Sequence, residues 1–273
     1  MKIDQFKLHA DIEERHWWFL GRRQIMRELV SRLFPTSKTL TVVDIGCGTG
    51  GNIAALAESY TRVGIDTSEE AIRFARSRFQ QVRFIHVLAP ADVTDVVQQA
   101  DIVLLMDVLE HIPDDFAFLS ALLDAAAPGA HLLLTVPADM SLWSEHDVSF
   151  GHYRRYDMRG FGRLWEGLPV TTRLLSYYNT RLYPVVKLMR ALSRWRGRAW
   201  GAAGTDFSIP MQPLNSILAK VLASESKVLV DVLEGRRAQG FGEGVSLIAL
   251  LRRGSGAVTI RTQPQGSHPR SAP

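Results

Sequence analysis

The stretch VVDIGCGTGGN (42–52) constrains the fold more than any other part of the chain. A β-branched run ends in a carboxylate, turns through glycines and opens onto GNIAALAES (51–59), which reads as a helix. Gly46, Gly48 and Gly50 permit a tight turn and let a ligand approach the backbone, and the helix behind them begins with unpaired N–H groups. Strand, glycine loop and helix in that order form the phosphate- or nucleoside-binding start of a parallel α/β sheet. Gly46, Gly48 and Gly51 also satisfy G-x-G-x-x-G, so spacing alone does not choose the ligand.

The same rhythm continues downstream. TRVGIDTS (61–68) is a second strand, and its Asp66 lies 22 residues after Asp44, where a carboxylate can accept hydrogen bonds from both ribose hydroxyls. EEAIRFARSRF (69–79) is an amphipathic helix opened by Thr67 or Ser68. VRFIHVL (82–88), DIVLLMD (101–107) and HLLLTVP (131–137) are further strands. A weak helical segment lies near 91–99, and a helix begins at Pro113-Asp114-Asp115 and stops at Pro128-Gly129. This alternation predicts a doubly wound α/β domain over roughly residues 38–138, with helices on both faces of its sheet. RRQIMRELVSRLF (22–34) adds an N-terminal helix. TTRLLSYY (171–178) and GVSLIALLRR (244–253) are late strands, separated by about 65 residues. The polar tail 254–273 is expected to be disordered.

Composition narrows the class. In 273 residues, 46% hydrophobic, there is enough apolar content for a large core without staples. The single cysteine, Cys47, excludes an internal disulfide and a Cys-rich zinc site, and suits a reducing cytoplasm. The charged N-terminus is unlike a secretory signal, and no apolar run reaches the ~18 residues of a membrane span. Net charge is only +4, yet residues 151–200 hold ten arginines and one lysine against two acids.

The glycine segment VVDIGCGTG, the acid in GIDTS, DIVLLMDVLEHI and PGAHLLLTVP together resemble the class I S-adenosylmethionine-dependent methyltransferases, in one register from about Thr39 to Pro137. HWWFLGRR (16–23), LWSEHDVSFGHYRRY (142–156), YYNTRLYP (177–184) and GFGEGVSL (240–247) are similar to a bacterial subgroup related to ubiquinone-type O-methyltransferases and linked to polysaccharide or lipid pathways. The resemblance implies a seven-stranded Rossmann-like sheet whose last strand, 245–252, inserts antiparallel beside 171–178. It implies S-adenosylmethionine as cofactor, with Asp44 and the backbone of Gly46 to Gly50 facing its methionine part, Asp66 on the ribose, Thr67 beside the adenine, and Asp107 near the amino group or the acceptor. Where many relatives carry Gly-Asp-Ala after the third strand, this chain has HVLAPAD, so Leu88 or Ala89 is left to meet adenine through the backbone and Asp92 replaces the acid poorly.

EHDVSFGHYRRY (145–156) follows the fifth strand, on the side where open α/β sheets bind ligands. An alcohol or phenol acceptor must lose its proton, and histidine suits that task near neutral pH. His146, beside Asp147, is the first candidate base and His152 the second. Arg154 and Arg155 are candidates to grip an acidic acceptor, and Tyr156, with Tyr153, to line it. The alternative is a structural loop whose arginines pair with Asp147 and Asp157. Asp147 has no neighbouring acids in sequence, and no metal site is expected. Glu110 and His111 are expected chiefly to shape their loop. HWWFLGRR either folds over the site as a lid (residues 1–37) or anchors its helix, and Arg22 or Arg23 could reach the cofactor carboxylate.

A helical insertion is expected over about 178–240. Leu182, Val185, Val186, Met189, Leu192 and Trp195 share one helical face, with Lys187, Arg190 and Arg194 opposite. Such a helix, near 182–198, could lie on an anionic membrane surface or cover the acceptor site. The leading functional reading is methyl transfer to oxygen of a small-molecule or lipid- or sugar-linked acceptor. The alternatives are a nicotinamide-dependent oxidoreductase and a cofactor-binding partner protein without chemistry. Nucleic acid is disfavoured as a partner because no RNA-binding module is appended.

Overall fold

The computed structural model describes residue 10 and residues 12–34, 39–88, 93–196 and 209–258. After helix α1 (Trp17–Leu33) come β1 (Thr41–Ile45), α2 (Gly51–Ala54), β2 (Thr61–Asp66), α3 (Glu69–Arg78) and β3 (Arg83–His86). The second half of the sheet is built by α4 (Thr94–Gln98), β4 (Ile102–Met106), a 3-10 turn (Leu109–His111), α5 (Asp115–Ala125) and β5 (His131–Pro137). Then follow α6 (Glu145–Phe150), α7 (Met158–Arg163), β6 (Val170–Tyr178), α8 (Tyr183–Arg196), α9 (Leu214–Ala223), α10 (Ser226–Leu233) and β7 (Ser246–Arg253).

The seven strands lie in the order β3-β2-β1-β4-β5-β7-β6, with β7 antiparallel to both β5 and β6. This is the expected doubly wound α/β sheet with its antiparallel last strand. Alternate strand residues feed two apolar layers. Val43, Ile65, Val103, Leu105 and Leu134 face α4, α5 and the aromatic trio Tyr156, Phe161 and Trp165. Val42, Ile102, Leu104, Leu133 and Leu250 face α1, α2, α3, α9 and α10.

Three elements differ from the sequence reading. The helix expected over 51–59 stops at Ala54, because Arg62 of β2 lies buried beneath it and donates to the Ala54 and Leu56 carbonyls at 3.1 and 3.2 Å. EHDVSFGHYRRY opens as helix α6, not as a loop. Ser144 and Asp147 form a reciprocal capping box, and Gly151 (φ 73°) ends the helix in the left-handed region. The third difference concerns α1, which begins at Trp17 rather than at Arg22; Ile25, Met26, Leu29 and Val30 are each no more than 1% exposed, so its C-terminal half is a layer of the core. A Cβ on Gly21 would lie 2.8 Å from Leu222 side-chain atoms, so α1 and α9 touch almost backbone to side chain. Asn215 of α9 accepts from Trp17 N at 2.9 Å and donates to Arg15 O at 2.7 Å, which caps α1. The insertion helices therefore brace the N-terminal helix. The disordered tail expected beyond residue 254 falls outside the described residues from 259 onward.

Leu29→Ala tests this arrangement. Loss of a fully buried leucine from a packed layer costs about 2–5 kcal/mol. Urea unfolding of the variant is expected to show a loss in that range, whereas a movable lid would lose almost nothing.

Candidate active site

The order of the strands reverses between β1 and β4, and ligands of such sheets sit outside the carboxyl ends of the strands at that point. Gly46 leaves β1 with φ 73°, and a Cβ there would stand 2.6 Å from Val108 Cγ2. Above Gly48 there is nothing within 4 Å, so the loop leaves open space over its backbone. Asp66 accepts from Gly48 N and Ser68 N, each at 2.8 Å, which fixes the carboxylate at the end of β2. Each oxygen keeps a second lone pair for a diol. Thr67 beside it is exposed, as is Leu88 at 83%. Ala89 and Asp92, weighed above for adenine, lie outside the described residues.

Asp44 is fully buried and neither of its carboxylate oxygens has a partner. Burial pushes its pKa up to about 8, against the pull of the Arg22 guanidinium. Asp107, at the end of β4, holds a left-handed backbone (φ 61°) and pairs with Arg22 of α1. Strained non-glycine residues of this kind cluster at ligand sites. The Arg22 guanidinium stacks 4.1 Å over Trp18 and its Nε is unpartnered. An orphaned anion, an ion pair beside it and a hydroxyl-binding carboxylate surround the open glycine loop. That set fits a ligand with a ribose at one end and an amino-acid zwitterion at the other. S-adenosylmethionine is such a ligand. Sequence motifs supplied Asp44, Asp66 and Asp107; Arg22 was weighed as one of two arginines, and only the helix geometry singles it out.

A second cluster adjoins this one through the 3-10 turn after Asp107. Asp147 is fully buried and its carboxylate accepts four hydrogen bonds: from Ser144 N (3.0 Å), His152 Nδ1 (2.9 Å), Arg155 Nε (2.8 Å) and Arg155 Nη2 (3.1 Å). Burial alone would raise its pKa, but the His152 and Arg155 contacts hold it well below the usual carboxylate range. With Asp147 as acceptor, His152 carries its proton on Nδ1 and keeps the Nε2 lone pair free. The expected His146–Asp147 pairing is thus replaced. His146 packs its ring 4.7 Å from Phe150, and its pKa is pushed down to about 3, first by burial and then by Arg190. The residue after the histidine caps the helix, so it turns away from its sequence neighbour and toward the histidine five positions on.

Of the other acceptor candidates, Tyr153 is 58% exposed, while Arg154, Arg155 and Tyr156 bond within the protein. Arg155 also donates to Ala138 O at 3.0 Å and is 8% exposed. Arg154 donates to Pro113 O and pairs with Asp115, both at 2.7 Å, and the Tyr156 hydroxyl donates to the same carboxylate at 2.7 Å. These contacts give each of the three side chains a structural task, and Arg155 also lines the cleft beyond β5. Asp157 caps α7 through Gly160 N rather than pairing with either arginine.

Glu110 and His111 enter the cluster instead. The His111 ring lies edge-on, 4.7 Å from the His152 ring. Its pKa is pushed down to about 4, first by burial and then by His152. Glu110 is fully buried with both oxygens unpartnered, and burial, followed by the nearby Asp107 charge, raises its pKa well above normal. Donor atoms of Glu110, His111 and His152 all lie within 4.8 Å of one another, so among the described residues this trio could hold a divalent cation. Sequence separation between the LEHI and GHYRRY segments hid that grouping. Beyond β5, an open cleft of about 360 Å3 is lined by Asp139, Met140, Arg155, Asp157, Tyr177, Tyr183, Glu243 and Gly244.

Fold and site together define a class I S-adenosylmethionine-dependent methyltransferase. The chain belongs to the family described as "Methyltransferase domain", whose model matches residues 18–182. Trans-aconitate 2-methyltransferase of Azoarcus sp. (strain BH72) is 32% identical over 123 residues, 42% of this chain and 46% of that protein. Ubiquinone biosynthesis O-methyltransferase of Dinoroseobacter shibae is 36% identical over 105 residues, 35% of this chain and 40% of that protein. The chain thus spans a little under half the length of these curated relatives. Among solved structures, the plantazolicin methyltransferase BamL, in complex with a triazolic desmethylPZN analog and SAH, has the same fold. The TM-score is 0.54 at 15% identity, over 92% of this chain and 90% of that one.

Two outcomes are expected of this site. Asp66→Ala should lower S-adenosylhomocysteine affinity at least about tenfold by calorimetric titration, since a fixed carboxylate to a diol is lost. The folded pKa values of His111 and His146 lie below the unfolded value near 6.5, so each withdraws stability as pH falls from about 6.5 toward 4, while the raised carboxyls of Asp44 and Glu110 act in the opposite sense. Scanning calorimetry of His146→Phe should therefore show a smaller loss, or a larger gain, of Tm between about pH 7.5 and pH 5 than the wild type; the same change in both contradicts a buried neutral His146.

Proposed function

We propose that the protein transfers the methyl group of S-adenosylmethionine to an oxygen of a small-molecule or lipid- or sugar-linked acceptor, with His152 as the general base. The observation that carries this reading is the Asp147–His152 hydrogen bond at 2.9 Å, which fixes the tautomer with Nε2 as acceptor. When bound, the cofactor supplies an electrophilic methyl carbon on a sulfonium. Asp44, Arg22 and Asp107 would hold its amino-acid end, Arg22 the carboxylate and the two acids the ammonium, and Asp66 would hold the ribose. The chain's remaining task is to align an acceptor hydroxyl in line with the methyl group and take its proton. His152 Nε2 would accept that proton as the O–C bond forms and the methyl C–S bond breaks, its electron pair leaving on sulfur as the neutral thioether S-adenosylhomocysteine. Asp147 would stabilise the resulting imidazolium.

An oxygen acceptor is also supported by the relatives named for ubiquinone O-methylation. An oriented histidine–carboxylate pair is unnecessary for an already basic amine and useful for a hydroxyl. A second reading follows from the Glu110–His111–His152 trio. There a divalent cation, rather than a base, would acidify the acceptor hydroxyl, and His152 would be a ligand.

Labelled methyl transfer from S-adenosylmethionine to a panel of phenols, hydroxy acids and polyprenyl or sugar alcohols tests the proposal. With an acceptor in hand, His152→Ala should lower kcat by about 10²–10⁴ while S-adenosylhomocysteine binding stays intact. His146→Ala should stay within about tenfold of wild type, because its ring is packed rather than oriented by a carboxylate. Turnover by His152→Ala equal to wild type sinks the base. Full loss of turnover on treatment with EDTA, restored by a divalent cation, favours the second reading.

A further inference from the structure

Helix α8, beside the site, has an apolar solvent side. Among its described side chains only Tyr183 is buried. Tyr183 donates to Asp139 Oδ2 at 2.7 Å, and Lys187 donates to the Tyr183 hydroxyl at 3.0 Å, so the base of the helix is pinned to the rim of the cleft beyond β5. Arg190, one turn further on, acts on His146, which places this side of the helix over the second cluster. The inward side is therefore polar.

The outward side is the reverse. Val185, Leu188, Met189 and Leu192 fall at i, i+3, i+4 and i+7 and are 56%, 61%, 42% and 38% exposed. The apolar face expected from sequence is thus split: Leu182 and Val186 are half-buried, whereas Val185, Met189 and Leu192 face solvent with Leu188. The side chains of Arg194 and Trp195 lie outside the described residues. Met140, on the lip of the same cleft, is 57% exposed as well. A helix of this length with almost no buried face gains little from packing on its own domain and is marginal alone in water.

Charge selects the occupant. From Gly167 to Thr205 there is no acid, while Arg173, Arg181, Lys187, Arg190, Arg194, Arg196 and Arg198 are basic. Lys187 is exposed on the opposite, polar side of the helix, beside Tyr183 and 3.9 Å from Asp139, so it is the sign of the whole segment that selects an anionic partner. A second copy of the chain would bring this basic segment against itself. An anionic bilayer meets both features, since apolar side chains enter the acyl boundary and a segment without acids is drawn to the headgroups.

We infer that the outer face of α8 is a docking surface for an anionic lipid bilayer, and that it sets the cleft rim at Asp139, Met140 and Tyr183 against the membrane. The inference does not depend on the chemistry at His152. Among the described residues no helix is long and apolar enough to cross a membrane, so the contact is peripheral.

The test is co-flotation of the full chain with vesicles of phosphatidylcholine alone or mixed with phosphatidylglycerol, at low and high salt. Wild type should float with the anionic vesicles and release at high salt. Leu188→Glu combined with Leu192→Glu should reduce binding at least about tenfold. Circular dichroism and S-adenosylhomocysteine titration of the variant separate loss of docking from loss of fold or of cofactor binding. No flotation by the wild type, or flotation unchanged by the double substitution, overturns the inference. A wild-type dimer in light scattering that the double substitution dissolves, with no vesicle binding, assigns the face to a second copy instead.

Discussion

Everything on the acceptor side of the sheet hangs on one buried carboxylate. Asp147 receives hydrogen bonds from its own helix start, from His152 and from two atoms of Arg155, and those four contacts use all of its lone pairs. Arg155 in turn grips the Ala138 carbonyl just past β5, so the helix α6 and the segment returning from it are locked to the sheet edge. A buried ion pair is a poor source of net stability, since desolvation cancels much of its attraction. Its value here is geometric. An apolar pair of equal volume would pack as well but would leave the His152 ring free to rotate and its tautomer undetermined.

The cofactor side depends on a different device. Strand order alone places the glycine loop and the ends of β1 and β4 around one crevice, yet the sheet offers only acids there: Asp44, Asp66 and Asp107. The balancing cation, Arg22, comes from α1, which is held in place by Asn215 and Leu222 of an insertion almost two hundred residues later in the chain. The insertion between the last two strands therefore braces the helix that supplies Arg22 to the crevice, as well as flanking the cleft beyond β5. Its helix α10 adds a further tie, for buried Glu225 accepts from Thr180 N and Arg181 N where the chain leaves β6.

How much of this is legible in sequence follows from range. The strands, the glycine turn and the caps at Ser68 and Asp114 depend on neighbours a few residues apart, and their patterns predict them closely. HLLLTVP matches β5 residue for residue. The capping box from Ser144 to Asp147 is equally local, a serine followed three residues later by an acid, and is carried by the sequence alone. What no local pattern holds is pairing across the fold: Asp147 choosing His152, Arg154 and Tyr156 sharing Asp115, and His111 meeting His152. Those choices are made by the 3-10 turn after β4 packing beneath the return from α6. Helical periodicity likewise identified the amphipathic α8 without fixing which part of its apolar arc turns outward, because that is decided by the Tyr183–Asp139 bond at its base.

Two buried carboxylates, Asp44 and Glu110, remain without partners, one on each side of the Arg22–Asp107 pair. An unpartnered buried polar group is costly and calls for a ligand, an ion or a catalytic role to offset it. Burial, only partly offset by Arg22 and reinforced by Asp66 and Glu13, raises Asp44 to about 8, so at neutral pH its carboxyl is largely protonated. A ligand ammonium placed against it would favour the ionised form and lower that value. A zwitterionic amino-acid moiety would therefore draw the proton from Asp44 as it seats. The crevice is in this sense tuned to a cationic amino-acid end, a preference that the glycine motif, shared with dinucleotide sites, does not carry.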